Sequence, residues 1–116
     1  MPDLMKLECV PCRGGATSLT EEQIAALLPD VPAWRVVEVE SVKSLERIFE
    51  FSDYKEAMGF ANRTAEIAER HDHHPQITIE WRCVTVRWWT HVIGGLHLND
   101  FIMAARTGAL HRNHFR

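Results

Sequence analysis

The sequence predicts an α+β fold, a four-stranded antiparallel sheet covered by helices on one face, in the order α-β-β-α-β-β-α. Three observations lead there. Strand-like segments come in neighbouring pairs instead of alternating singly with helices. One long amphipathic segment separates the pairs, and a further helical pattern stands at each end of the set.

The first helix lies in S-L-T-E-E-Q-I-A-A-L-L-P. Thr20 and Gln23 form a capping box, Ile24, Leu27 and Leu28 make an apolar stripe, and Pro29 stops it. D-V-P-A-W is a turn into W-R-V-V-E-V-E and K-S-L-E-R-I-F-E-F, two β-rich segments that read as a hairpin joined near Glu40 to Ser44. Asp53 then caps a long helix. Tyr54, Met58, Ala61, Ala65 and Ala68 form one stripe, and Ala57, Phe60, Thr64 and Ile67 a second beside it. A stripe this broad exceeds what one sheet face needs, so part of it is expected to meet another subunit.

Pro75 ends the helix. Beyond it Ile77, Ile79 and Trp81 alternate against Gln76, Thr78, Glu80 and Arg82. Val84, Val86 and Trp88 alternate likewise, in a strand that reads as ending at His91. I-G-G-L is a turn, and the last helix is expected to end near Gly108, with residues 111–116 a frayed tail. Residues 1–18 read as a loosely ordered leader ahead of a single domain spanning 19–110.

With 116 residues the chain is one domain in size. Apolar residues at 46%, charged residues at 25% and a formal charge of −3 fit a soluble globular protein and give no basic face for nucleic acid. No apolar run approaches a membrane span and the N-terminus lacks a signal-peptide layout, so a cytoplasmic protein is expected. The three cysteines, Cys9, Cys12 and Cys83, cannot pair evenly, which favours reduced thiols. The C-V-P-C pair lacks the second ligand pair of a zinc site and sits in a loop-like leader. Its role is open.

The densest chemistry lies in A-E-R-H-D-H-H-P, Ala68 to Pro75. A metal site is disfavoured: of the three histidines only His71 and His74 have ligand spacing, and they straddle the helix break. Acid-base chemistry is open, because imidazole exchanges protons near neutrality and Glu69 lies four residues before His73. A polar helix end interacting with the dipole is equally compatible. His91 adds weight to the second reading. If the last two strands pair antiparallel, His91 at one strand's exit comes near His73 and His74 at the other's entry.

These residues also carry a resemblance. A-E-R-H-D-H-H-P, then W-W-T-H, then G-G-L followed by D-F-I-M-A-A resembles the pterin-4a-carbinolamine dehydratases, with their A-E-x-x-x-H-H-P segment, T-H strand end and G-L-[TS]-x-x-D helix start. P-A-W, I-F-E-F, F-A-N-R-T-A-E and the leader extend the likeness over about residues 9 to 110.

The resemblance implies an α-β-β-α-β-β-α homodimer or homotetramer. Its implied reaction is hydro-lyase chemistry: dehydration of 4a-hydroxytetrahydropterin to quinonoid dihydropterin and water, in tetrahydropterin recycling for an aromatic amino acid hydroxylase. It implies no metal and no organic cofactor. By position it puts catalysis on His73, His74, His91 and Glu69, with Glu69 orienting a histidine, and substrate binding on Asp72, Trp34 and Asp100. Some members bind a transcription factor, so a non-catalytic binding module on the same scaffold is the alternative. The chain departs from the pattern at His97, a poorer cap than serine or threonine. A shift of the helix start to an Asn99 cap is therefore expected, and Asp100 has a competing capping role. His71 reads as a solvated bystander.

Overall fold

The computed structural model describes residues 3–7, 9–10 and 17–115. Helix α1 (Glu21–Leu27) begins at Thr20, whose side chain accepts from the Gln23 amide while the Gln23 side chain accepts from the Thr20 amide. Both contacts satisfy donors that a helix start otherwise leaves open. A short 3₁₀ turn, Leu28–Asp30, absorbs Pro29.

Strands β1 (Arg35–Val39) and β2 (Val42–Glu50) pair antiparallel across Glu40 and Ser41, both at positive φ. Two successive left-handed residues match the twist of a two-residue hairpin. Helix α2 (Tyr54–His71) follows, with Asp53 accepting from the Glu56 amide. Strands β3 (Gln76–Glu80) and β4 (Cys83–Trp88) complete an antiparallel sheet in the order β1-β2-β4-β3. The last helix, α3, spans Leu98–His114. The architecture is α+β, as its sequence pattern predicts.

Leu45, Phe49, Val84, Val86 and Trp88 project from one face of the sheet and are buried against Phe60 of α2 and Phe101 of α3. Each such side chain contributes about 1.5–3 kcal/mol by leaving water. Ala57, Phe60, Ala61, Thr64 and Ala68 form the buried stripe of α2, whereas Tyr54 and Ala65 are exposed. The second stripe is thus the one turned to the core, and of the first only Tyr54 and Ala65 are open within one chain, since its Ala61 and Ala68 are buried.

Three boundaries differ from the sequence reading. Trp81 is not on the core face: β3 stops at Glu80, and Trp81 sits in the turn, 69% exposed beneath the Arg82 guanidinium. The strand expected to reach His91 stops at Trp88, and His91 opens a 3₁₀ turn, His91–Ile93. Helix α3 does not end near Gly108 but runs to His114, because the rings of His111 and Phe115 join those of Phe51 and Phe60. Packing overrides the glycine signal.

The described part of the leader is docked where a loose segment is expected. Leu4 is buried, the Leu7 carbonyl accepts from Arg106, and Val10 is bonded to Asn99. Cys12, and with it the C-V-P-C pair, lies outside the described residues. Cys83 is a free thiol. Among the described residues no helix is long and apolar enough to cross a membrane.

Candidate functional site

The end of α2 sets the site. Asp72 adopts a left-handed conformation at φ 50, and its amide and that of His73 close back on the carbonyls of Glu69 and Ala68. This 6→1 closure is the way helices commonly stop, usually with glycine, and aspartate is among the few other residues that tolerate it. The reversal turns His73 inward, to 9% exposure, and leaves His74 exposed at the entry to β3.

Antiparallel pairing does the rest. Gln76 at the start of β3 faces Arg87 near the end of β4, so the segment after Trp88 passes beside His74. Thr90 bridges to Gly95, which closes a small loop around the 3₁₀ turn, and Gly94 at φ +61 makes the reversal in a backbone region that glycine enters without penalty. His91 thereby reaches the His74 carbonyl, with Nε2 at 3.2 Å.

A cavity of about 570 Å³ results, lined by His71, His73, His74 and His91 together with Asp72, Thr90 and Asn99. That volume is within the range of small-molecule sites. Among the described residues no three His, Cys, Asp or Glu side chains converge as metal ligands would.

Each of three imidazoles is held through the same nitrogen. His73 Nε2 meets the Asp100 carboxylate at 2.6 Å, His74 Nε2 meets the Glu69 carboxylate at 2.9 Å, and His91 Nε2 meets the His74 carbonyl. Carboxylates and carbonyls only accept, so Nε2–H donates in all three, and Nδ1 has no hydrogen-bond partner among the described residues. The His73 ring also stacks on Trp88, with centroids 5.7 Å apart and planes 5° from parallel.

Asp100 is the most enclosed member of the set. It is fully buried and accepts from His73, from the Thr90 hydroxyl at 2.9 Å and from the His97 amide at 2.9 Å. Three donors satisfy its two oxygens, as a buried carboxylate requires. The expected shift of the helix start to Asn99 does not occur. His97 remains the cap, its Nδ1 accepting from the Asn99 amide, while Asp100 holds the His97 amide. Asp100 therefore both caps α3 and anchors His73.

The cavity brings together His73, His74, His91 and Asp72, with Asp100 behind His73 and Glu69 on His74. Glu69 orients a histidine, but that histidine is His74. The i to i+4 geometry that would pair Glu69 with His73 ends at Asp72, where the chain leaves the helix. Trp34 is not brought there. It is buried beside Phe49 and lines a different cavity.

Six wall residues escaped the sequence reading: His71, Thr90, Val92, Asn99 and the leader's Cys9 and Val10. Asn99 donates to the Val10 carbonyl at 2.7 Å and accepts from its amide at 3.0 Å. It is 89 residues from Val10 in sequence, so no local pattern could have signalled the contact.

Residues 17–110 match the family model described as pterin 4 alpha carbinolamine dehydratase. A protein of Chlorobium limicola is 49% identical over 96% of this chain and 98% of its own length. Its name, given provisionally, is pterin-4-alpha-carbinolamine dehydratase. A protein of the same provisional name from Nitrosococcus oceani is 46% identical over 95% of this chain and 97% of its own. Among solved structures, a transcriptional coactivator/pterin dehydratase from Brucella melitensis superposes with a TM-score of 0.73 at 31% identity. That match covers 81% of this chain and 98% of the other. A pterin dehydratase-like RuBisCO assembly factor of the alpha-carboxysome shares the fold, with a TM-score of 0.56 at 24% identity, covering 67% of this chain and 88% of its own.

Proposed function

The chain belongs to the pterin 4 alpha carbinolamine dehydratase family, and from that premise we propose that it dehydrates a 4a-hydroxytetrahydropterin by histidine acid-base catalysis. The observation that carries the reading is the gathering of three imidazoles at one cavity, each held through Nε2 and none with a hydrogen bond at Nδ1 among the described residues.

In this reaction the C4a–O bond breaks, the hydroxyl leaves as water after gaining a proton, and N5 loses its proton as the C4a=N5 bond forms. The site must donate at oxygen and accept at nitrogen, and a histidine can do either near neutrality. His73, held rigidly by Asp100 and by stacking on Trp88, and His91, entering from the 3₁₀ turn, supply opposed proton-transfer groups. His74, oriented by Glu69, binds the ring and shares in proton transfer. Asp72 stands at the rim for the pterin's polar edge. Proton exchange of this kind contributes roughly 10²–10⁴-fold to a rate.

The product, quinonoid dihydropterin, is what an aromatic amino acid hydroxylase cycle must reduce, so we place the protein beside such a hydroxylase. We also propose a homo-oligomer assembled in part through the exposed side of α2, in the cytoplasm.

The test is direct. Freshly generated 4a-hydroxytetrahydropterin is supplied to wild type and to His73→Ala and His91→Ala, with circular dichroism as the check on folding. Folded variants slowed by at least about a hundredfold are expected; wild-type turnover in both would refute the proposal. A second reading, a binding or regulatory module, is favoured by the Brucella relative, which is named a transcriptional coactivator as well as a pterin dehydratase. Absence of dehydration by the wild type, together with a defined protein complex, would select it.

A further inference from the structure

A second cavity, of about 470 Å³, opens where the turn before β1, strand β2 and the last turns of α3 meet. Trp34, Arg47, Gly108 and Arg112 line it, as do the carboxylates Asp3 and Asp30. None of these residues lines the histidine cavity.

Arg47 is an unusual residue for its position. It projects from the core side of β2, between buried Leu45 and Phe49 and opposite Val86. Its guanidinium rests on the Phe49 ring, 4.3 Å from the centroid. No carboxylate among the described residues forms an ion pair with it. Burial and the neighbouring Arg112 charge hold its pKa below the ordinary value, so the surroundings do not neutralise it.

Trp34 supplies the second donor. The residue is only 6% exposed, and its indole N–H, which makes no hydrogen bond among the described residues, is accessible from the cavity that it lines. Gly108 brings the two donors together: a Cβ there would stand 3.2 Å from Arg47 Nη1 and 3.8 Å from Trp34 Nε1. The absence of a side chain leaves open the spot on which both N–H groups converge.

A guanidinium fork and an indole N–H are donors only, and a second guanidinium lines the same cavity. The partner that satisfies such a set is an oxyanion, because the planar fork matches carboxylate and phosphate oxygens two at a time. Asp3 does not fill this role, since its carboxylate accepts from the Met5 amide as a cap. Asp30 sits exposed in the turn and makes no ion pair with Arg47. We propose that this cavity binds a small organic anion, its carboxylate or phosphate group held by Arg47 and the Trp34 indole N–H.

The full chain, in chloride buffer, is titrated separately with phenyl phosphate, benzoate and inorganic phosphate. Binding is read by calorimetry and by the indole N–H resonance of Trp34, assigned with Trp34→Phe. A saturable shift of that resonance with phenyl phosphate or benzoate is expected, and the stronger of the two identifies the anion class. Arg47→Gln should weaken binding about 10–100-fold, the loss of a charge-assisted contact. If that variant does not fold, Arg47→Lys keeps the charge but not the fork and should weaken binding several-fold. An unmoved Trp34 resonance with all three probes, or unchanged affinity in the folded Arg47 variant, overturns the proposal. So does displacement of phenyl phosphate by 7,8-dihydrobiopterin, which would assign the cavity to the pterin itself.

Discussion

Replacing Asp100 by asparagine changes one atom of the site and should reverse the proton arrangement of His73. The wild-type carboxylate has Oδ1 on His73 and Oδ2 on both the Thr90 hydroxyl and the His97 amide. An asparagine oxygen can keep the Thr90 and His97 donors, which places its NH₂ against His73 Nε2. That nitrogen must then accept, so the ring proton moves to Nδ1, the position proposed to face substrate.

Turnover should fall by about 10²–10⁴-fold, the full contribution of a positioned acid-base group. Stability should fall by only about 1–3 kcal/mol, because shape is kept and charge assistance is lost. For a domain of this size that is a drop in Tm of roughly 4–12 °C. The assay is dehydration kinetics beside imidazole nitrogen NMR of His73, which reports its tautomer. Turnover within threefold of wild type in a folded variant whose tautomer has reversed would refute the assignment of His73 to proton transfer.

Three other outcomes follow from the geometry. Thr20→Ala removes the α1 capping box and should cost about 1 kcal/mol in urea denaturation while leaving turnover unchanged; a loss of turnover would mean that α1 couples to the site. Asn99→Ala breaks both contacts to Val10 and frees the leader from the cavity wall, so KM should rise about tenfold with kcat little changed; an unchanged KM would remove the leader from the substrate pocket. Burial first, then the Arg47 charge, lowers the pKa of His111. The unfolded chain therefore takes up this proton before the folded one. Stability is unaffected well above the unfolded value of about 6.5 and declines as pH falls through and below it. Urea midpoints between pH 8 and 5 should fall less steeply in His111→Gln than in wild type; parallel curves would contradict the lowered value.

Much of the fold was legible because its signals are local. Thr20 with Gln23 and Asp53 with Glu56 announce two helix starts by residues three apart, and the alternation of Val84, Val86 and Trp88 assigns a face without reference to anything distant. The misread ends have a common cause. Gly108 looks like a helix stop, yet it lies inside α3 because His111 and Phe115 are drawn into the phenylalanine cluster. Trp81 continues a perfect alternation but falls after the last strand pair, Glu80 with Cys83.

The sequence by itself determined the α+β class, the order of elements, the family and the residues that carry its motif, because these depend on spacing along the chain. Only the tertiary structure decided the partners: His73 with Asp100 across 27 residues, Asn99 with Val10 across 89, and Trp34 in a cavity apart from the histidines. A hydrogen bond is made by whichever donor and acceptor the packed backbone brings within about 3 Å, and sequence distance carries no record of that.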